Sequence, residues 1–139
     1  MEPTKPAYNV AWASSTKSNC HVTNNRGWFE TFTPVTGFIT QGYSPSSEHK
    51  MSVQGIGEIE LPVKTHLTRN GSNSQGTLTL VDVLYVPSVE CNILGNPLLA
   101  TCDIDLKPGT ISKIIDSRTG KTVGLLDESK VWRLRLRGL

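Results

Sequence analysis

Ser15, Lys17 and His21 lie in one short polar stretch, and their residue types could support chemistry there. A serine hydroxyl and a histidine imidazole can form a nucleophile and its general base. That pair needs a third group to orient the imidazole, yet the sequence has no Asp or Glu between Glu2 and Glu30. It also lacks the Gly-x-Ser-x-Gly signature of a nucleophile elbow. We therefore predict a polar loop followed by a hydrogen-bonded structural histidine rather than a catalytic pair.

Asp103 and Asp105 form a second candidate pair, because an i, i+2 spacing on a predicted strand places both carboxylates on one face. Two neighbouring carboxylates can share a proton or bind a cation. No Ser/Thr-Gly sequence supports these residues, so we expect surface carboxylates. His49 and His66 have no partner ligands at metal-site spacing. The sequence therefore predicts neither a metal site nor a cofactor.

Length, charge and cysteine content limit the classes of protein to which this chain can belong. Its 139 residues suffice for one domain with a buried core, and a net charge of +2 with mixed signs predicts no nucleic-acid partner. No apolar stretch reaches the ~20 residues of a membrane-spanning helix, and the N-terminus lacks the apolar core of a signal peptide. The three cysteines lack CxxC spacing, which favours free thiols. We expect a cytoplasmic protein without a membrane partner.

Turn residues and β-branched runs predict an all-β fold. Twelve glycines and eight prolines separate short apolar runs, and no window keeps a helical period over three turns. From Ile56 onward the alternation is clean, and we expect Ile56 to share a face with Ile59 after an adjustment at Gly57. Asn70-Gly71 predicts a hairpin that pairs this strand with the strand at 77–86.

The C-terminal part of the chain predicts a further β layer. Residues 109–116 and 121–126 flank a turn and form a hairpin, and residues 130–136 form a last strand. In that strand apolar residues alternate with arginines such as Arg133 and Arg135. We expect these arginines to form a solvated face rather than a phosphate-binding ladder.

The stretch from Leu80 to Leu99 is the one around which we expect the fold to be organised. It predicts a strand over 80–86, a break at Pro87, and an apolar step into Gly95. A glycine at that point has no Cβ to obstruct a crossing chain. Residues 93–95 by themselves fit an ordinary buried strand that ends in a glycine turn equally well.

Two segments together resemble the protease domain of copia-type retrotransposon polyproteins, particularly fungal ones. The first is Trp12, a polar loop and His21-Val22-Thr23-Asn24, and the second is the 80–99 stretch. The resemblance covers nearly all of residues 10–137. It implies a retropepsin-like fold in which two backbone segments approach closely at Gly95 and a short helix follows. In that fold a Gly-rich hairpin, here Gly55-Ile56-Gly57, forms a flap over the substrate. It also implies that two chains each contribute one catalytic Asp to a shared dyad.

The position of that catalytic Asp can be located from both sides. The family has Trp, two residues, then Asp-Ser-Gly-Ala-Ser, one residue, and His. Counting three on from Trp12 and six back from His21 both lead to Ser15. Ser15-Thr16-Lys17 therefore replace Asp-Ser-Gly. Because a serine hydroxyl cannot replace a carboxylate as general base, we predict no aspartic protease activity.

The resemblance implies a closed retropepsin-like β-barrel with one lobe per chain, one short helix after Gly95, and a C-terminal hairpin plus strand. We expect a single domain over 1–139, with a flexible arm (1–7), a protease-like core (8–106) and a C-terminal β extension (107–139). Relatives with one lobe per chain are two-fold homodimers, so a homodimer is expected. The residues expected to line its cleft are Ser15, Thr16, Lys17, His21, Gly55, Ile56, Gly57, Ile93 and Leu94.

Three functions follow from these expectations. The first is a degenerate, domesticated transposon protease that persists as a homodimeric binding or structural protein. The second is a recruited enzyme whose dimer cleft binds a small molecule or peptide and promotes a non-proteolytic cyclisation or isomerisation by positioning it. The third, residual aspartic proteolysis, is the one that the sequence at Ser15 most directly contradicts.

Overall fold

The computed structural model describes residues 12–15, 17–40, 50–66, 75–107, 109, 111–128 and 132–134. Strands dominate these ranges, which confirms the all-β prediction. They are β1 (Trp12–Ser14), β2 (Val22–Thr23), β3 (Phe29–Thr40), β4 (Lys50–Lys64), β5 (Gln75–Tyr85), β6 (Asn92–Leu94), β7 (Cys102–Asp105), β8 (Ser112–Asp116), β9 (Thr122–Glu128) and β10 (Trp132–Leu134).

Short 3-10 helices precede β3 and follow β6. The first, Arg26–Trp28, begins where the Asn25 side chain accepts a hydrogen bond from the Gly27 N–H at 2.8 Å. The second, Asn96–Ala100, starts directly after Gly95 and confirms the short helix predicted there. No helix in the described part of the chain is long and apolar enough to cross a membrane.

The described strands form one sheet in the order β3-β4-β5-β2-β6-β1-β10-β9-β8-β7. Its first six strands are mixed, because β6 runs parallel to β1 and β2 runs parallel to β5. The last four are antiparallel and join the first six through the pairing of Ala13 with Arg133. Among the described strands no pairing closes β7 onto β3, so the expected closed barrel is not detected.

β4 is the most regular strand, and its neighbours carry the irregularities. Register shifts fall opposite it in β3, near Glu30 and between Pro34 and Gly37, and in β5 near Asp82. The alternation along β4 therefore continues through Gly57 without adjustment. Ile56 consequently lies on the outer face with Glu58 and not, as we had predicted, on the inner face with Ile59.

Two hydrophobic clusters hold the sheet together. The larger one surrounds Trp12 and Trp28, whose rings meet edge-to-face with centroids 5.8 Å apart. The smaller one contains Val22, Val53, Val86 and Val89 and lies beside the inner face of the outer β3–β4 hairpin.

The C-terminal region follows the sequence prediction closely. β8 and β9 form the expected antiparallel hairpin, and β10 pairs with β9. In the hairpin turn the Asp116 carboxylate accepts hydrogen bonds from the N–H groups of Arg118 and Thr119, while Gly120 takes φ 73°. The Asn70-Gly71 turn and the N-terminal segment 1–7 lie outside the described residues, although the predicted pairing of β4 with β5 is present.

Candidate functional site at the Ser15–Cys20 loop

The loop from Ser15 to Cys20 connects β1 to β2 and is attached by its backbone to the end of β6. The Ser15 N–H donates to the Leu94 carbonyl at 2.9 Å, and the Asn96 N–H donates to the Ser18 carbonyl at 2.8 Å. These bonds hold the loop against the start of the 3-10 helix. Ser15 itself is half-buried and Lys17 is exposed, while Thr16 lies outside the described residues.

Gly95 is the point at which this loop and β6 touch. A Cβ built on Gly95 would overlap the Cys20 carbonyl oxygen, lie 2.6 Å from the Cys20 carbonyl carbon and lie 3.0 Å from the Ser18 carbonyl oxygen. These are backbone atoms, so no side-chain movement can relieve the overlap. The structure therefore confirms the close approach that we predicted at Gly95.

His21 links the same two segments through its imidazole ring. Its Nδ1 accepts a hydrogen bond from the Gly95 N–H at 2.9 Å, and its carbonyl oxygen accepts one from the Leu84 N–H at 2.9 Å. The side chain is almost fully buried, and this burial lowers the pKa of His21 to about 4. At neutral pH the ring is therefore uncharged, with its proton on Nε2 and its Nδ1 lone pair already in use.

Ser18 and Cys20 are joined by a structural hydrogen bond within the loop. The Ser18 hydroxyl donates to the Cys20 carbonyl at 2.7 Å. Burial raises the pKa of the Cys20 thiol, which disfavours the reactive thiolate, although the Ser18 hydrogen bond opposes that shift. The loop therefore presents no activated nucleophile at Cys20.

The predicted cleft residues fall into two groups. Ser15, His21 and Leu94 meet around the loop, and Ile93 joins them through its pairing with Ala13 and Val22 in the centre of the sheet. The second group is the Gly55-Ile56-Gly57 sequence in β4. In the sheet, β5, β2 and β6 lie between β4 and β1.

Gly55 and Gly57, which we expect in a flap hairpin, lie within strand β4 of the β3–β4 hairpin and not in its turn. Both lie in the middle of β4, paired with β3 on one side and β5 on the other. A Cβ on Gly55 would collide with the Phe32 ring, and one on Gly57 would collide with the Thr31 carbonyl. The glycines therefore make room for aromatic rings and backbone rather than for a turn.

A shallow groove of about 320 Å³ lies elsewhere, on the outer end of the β3–β4 hairpin. We call this end the arm and define it as residues 35–40 of β3 with residues 50–54 of β4. None of the described cleft residues lines the groove. Its lining residues are Pro34, Val35, Thr36, Gly37, Phe38, Ser52, Val53 and Gln54.

Asp103 and Asp105 are exposed on β7, and the Asp105 carboxylate lies 3.7 Å from the Lys107 ammonium. No group of three or more metal-ligating side chains occurs among the residues that the structure describes. The three cysteines, Cys20, Cys91 and Cys102, are free thiols.

Sequence reasoning missed a buried polar contact behind the loop. The Thr23 hydroxyl donates to the Asn92 Oδ1 at 2.7 Å and accepts from the Asn25 N–H at 3.2 Å. It joins β2 to β6 across 69 residues of sequence. Thr and Asn are common in loops and strand ends, so neither residue type carried a signal for this pair.

Sequence reasoning also missed an aromatic group at the rim of the core. The rings of Phe29, Phe32 and Tyr85 meet edge-to-face, and the Arg26 guanidinium carbon lies 3.7 Å from the Phe32 ring centroid. This group explains why the facing strand β4 carries Gly55 and Gly57. The closely spaced aromatic residues at the start of β3 were the available signal.

A family model described as Pol polyprotein, beta-barrel domain matches residues 12–102, more than half of the chain. The matched region begins with β1 and ends at the first residue of β7, so it contains both the loop and the arm. No curated protein and no solved structure matches the chain.

Proposed function

The chain belongs to the Pol polyprotein beta-barrel domain family, and on that premise we propose that it is a catalytically silent, homodimeric binding or structural domain of transposon origin. The observation that supports silence is the chemistry of the Ser15–Cys20 loop. Its backbone and its Ser18 hydroxyl make structural hydrogen bonds, the adjacent His21 is neutral, and no Asp or Glu occurs in the sequence between Glu2 and Glu30.

Aspartic proteolysis requires a pair of carboxylates that share one proton, one acting as base on water and the other as acid. In our proposal Ser15 occupies the position of the catalytic carboxylate. The nearby imidazole cannot take over, because its Nδ1 is bound to the Gly95 N–H and its Nε2 carries the proton. The loop then serves as a clamp between β1 and β6.

We also propose a more specific evolutionary origin for the domain. We assign the domain to a copia-type, retropepsin-like and fungal-type lineage, domesticated or decaying, because of the spacing from Trp12 to His21 and the Gly95 crossing. We place the protein in the cytoplasm, because its three cysteines are free thiols. We propose a homodimer, because proteins of this lineage with one lobe per chain act as two-fold dimers.

The test of silence is a cleavage assay with the full chain and a mixture of extended peptides, from about pH 4 to about pH 7, where aspartic dyads titrate. We expect no cleavage above the buffer rate. The matched variant is Ser15→Ala, which removes the hydroxyl that replaces the carboxylate. Cleavage that an aspartic-protease transition-state analogue inhibits would overturn the proposal.

The test of assembly is the molar mass of the full chain in solution as a function of concentration. We expect a monomer–dimer equilibrium. A mass that stays at that of one chain, 15.2 kDa, at every concentration would contradict the homodimer while leaving the proposed silence intact.

A further inference from the structure

The outer face of the arm continues along β4 to Glu58, and we call this whole surface the arm face. It combines a cation at the tip, an exposed aromatic ring and a carboxylate at the root. On β4 the residues at two-residue spacing on this face are Lys50, Ser52, Gln54, Ile56 and Glu58, because β4 alternates regularly over its whole length. On β3, Phe38 pairs with Ser52 and therefore shares their face. The Lys50 ammonium lies 5.8 Å from the Phe38 ring centroid, which places the cation at the same end.

The centre of this arm face is unusually apolar for an exposed surface. Phe38 is 66% exposed and Val35 is 38% exposed, and the groove beside them is lined by uncharged residues. The opposite face of the arm is already covered, because Ile39, Met51 and Val53 pack in the smaller core cluster. An aromatic ring that is exposed to this extent beside an uncharged groove is a typical centre of an interface.

The charges on the arm face are complementary to themselves under a two-fold rotation. Lys50 and Glu58 lie four residues on either side of Gln54 on β4. A two-fold axis through Gln54 therefore brings Lys50 of one copy opposite Glu58 of the other, and the reverse. Among the residues that the structure describes, neither the Glu58 carboxylate nor the Lys50 ammonium has an ion-pair partner, and the ammonium lies beside the Phe38 ring.

We propose that a second copy of this chain docks antiparallel on the arm face, with each Phe38 ring beside the centre, over the Thr33–Ile56 pair of the other copy, and two Lys50–Glu58 pairs at the ends. This inference rests on the proposed homodimer and places its axis on the arm rather than at Ser15. Two sheets would pack face to face there at the usual spacing of about 10 Å. The contact is small, so we expect a dissociation constant in the micromolar range or weaker.

The experiment is sedimentation velocity of the full chain from about 1 to about 300 µM, a range that brackets micromolar dimers. Phe38→Ser should raise the dimer dissociation constant about tenfold or more, because it removes the central apolar contact. The matched control is Leu106→Ser, since Leu106 is also an exposed apolar residue at 52% but lies beyond β7 at the other end of the sheet. It should leave the constant within about twofold, as a residue outside the interface does.

Charge reversal tests the register of the two copies. Lys50→Glu alone and Glu58→Lys alone should each weaken the dimer about fivefold, because each places like charges opposite one another twice per dimer. The double variant Lys50→Glu, Glu58→Lys should restore the constant to within about twofold of the unmodified chain. Thermal unfolding of each variant establishes that the fold is intact.

Each outcome has a defined meaning. A dimer that responds to neither Phe38→Ser nor charge reversal overturns this inference but leaves the proposed homodimer standing. A dimer weakened by Phe38→Ser and not restored by the double reversal overturns the two-fold register. A chain that remains monomeric throughout overturns the dimer and this inference together.

Discussion

The Ser15–Cys20 loop packs against Gly95, and the arm contains Gly37, but the surroundings of these two glycines are opposite. Gly95 at the loop is pressed against the backbone of Ser18 and Cys20, so that no other residue fits without moving the main chain. Gly37 on the arm has no neighbouring atom within 4 Å of the position where a Cβ would stand. The loop is closed by backbone hydrogen bonds and a buried imidazole, whereas the arm exposes Phe38 beside an uncharged groove.

This difference separates a part of the molecule that is held by hydrogen bonds from a part that exposes apolar side chains to solvent. In the Ser15–Cys20 loop the backbone and the Ser18 hydroxyl make structural hydrogen bonds, as does the adjacent His21 imidazole. The arm is part of two ordinary β-strands, and it exposes apolar side chains such as Phe38. A binding role is therefore easier to derive from the arm than from the loop.

Gly95→Ala tests the rigidity of the loop and should have the largest effect. We expect a loss of about 3 kcal/mol in the free energy of unfolding, because the added methyl group meets backbone carbonyl atoms that must shift. Denaturant unfolding measures the loss. Gly37→Ala is the matched control and should change stability by no more than about 0.5 kcal/mol. Equal losses in the two variants would remove the contrast between the regions.

His21 should make the loop sensitive to pH. Its folded pKa of about 4 lies below the unfolded value of about 6.5, so the unfolded chain binds the proton first as the pH falls. Stability should be fully present above about pH 6.5 and decline by up to about 3 kcal/mol as the pH falls toward 4. Thermal unfolding across this range, compared with His21→Asn, measures the change. If the variant loses stability with the same slope, other groups cause the pH dependence.

Thr23→Val tests the buried polar contact behind the loop. The substitution keeps the side-chain shape but removes the hydroxyl that bonds the Asn92 Oδ1 and the Asn25 N–H. We expect a loss of about 1–2 kcal/mol in the free energy of unfolding. Thr79→Val, at an exposed position of β5, is the control and should stay within about 0.5 kcal/mol. A loss in Thr79→Val as large as that in Thr23→Val would count against a specific role for the buried hydroxyl.

Phe38→Ser should have the smallest effect on stability although it alters the proposed interface most. Because the Phe38 ring is largely exposed, we expect the free energy of unfolding at low protein concentration to change by less than about 0.5 kcal/mol. Denaturant unfolding at a concentration well below that of association isolates this term. A loss of more than about 1 kcal/mol in the free energy of unfolding would mean that the ring stabilises the monomer and that the arm is not a free surface.

Local sequence patterns predicted the structure correctly where a residue type has a single structural role. Turn residues between β-branched runs indicated the all-β class, Asp116 to Gly120 indicated the C-terminal turn, and Gly95, together with the resemblance, indicated a backbone crossing. The replacement of Asp-Ser-Gly by Ser15-Thr16-Lys17 is a prediction that rests on the resemblance to copia-type proteases. The loss of protease chemistry stays a prediction until cleavage is measured.

Other residues have several possible uses, and their neighbours decide among them. The same Gly-Ile-Gly sequence could have formed a hairpin tip, but the rings of Phe29 and Phe32 on β3 require glycines in the middle of β4. Ile56 was assigned to the inner face because bulges were expected in its own strand, whereas they lie in β3 and β5. Period-two alternation cannot show which strand of a pair holds the extra residue.

The sequence by itself determined that this chain forms short strands and has a serine rather than a carboxylate at position 15, and together with the resemblance it predicted the crossing at Gly95. Each of these depends on a single residue's chemistry or backbone freedom. Only the tertiary structure decided that His21 is neutral and committed to Gly95, that Thr23 joins Asn92, and that Phe38 stands exposed beside an uncharged groove. Burial and partnership across many residues are properties of packing, and no local pattern encodes them.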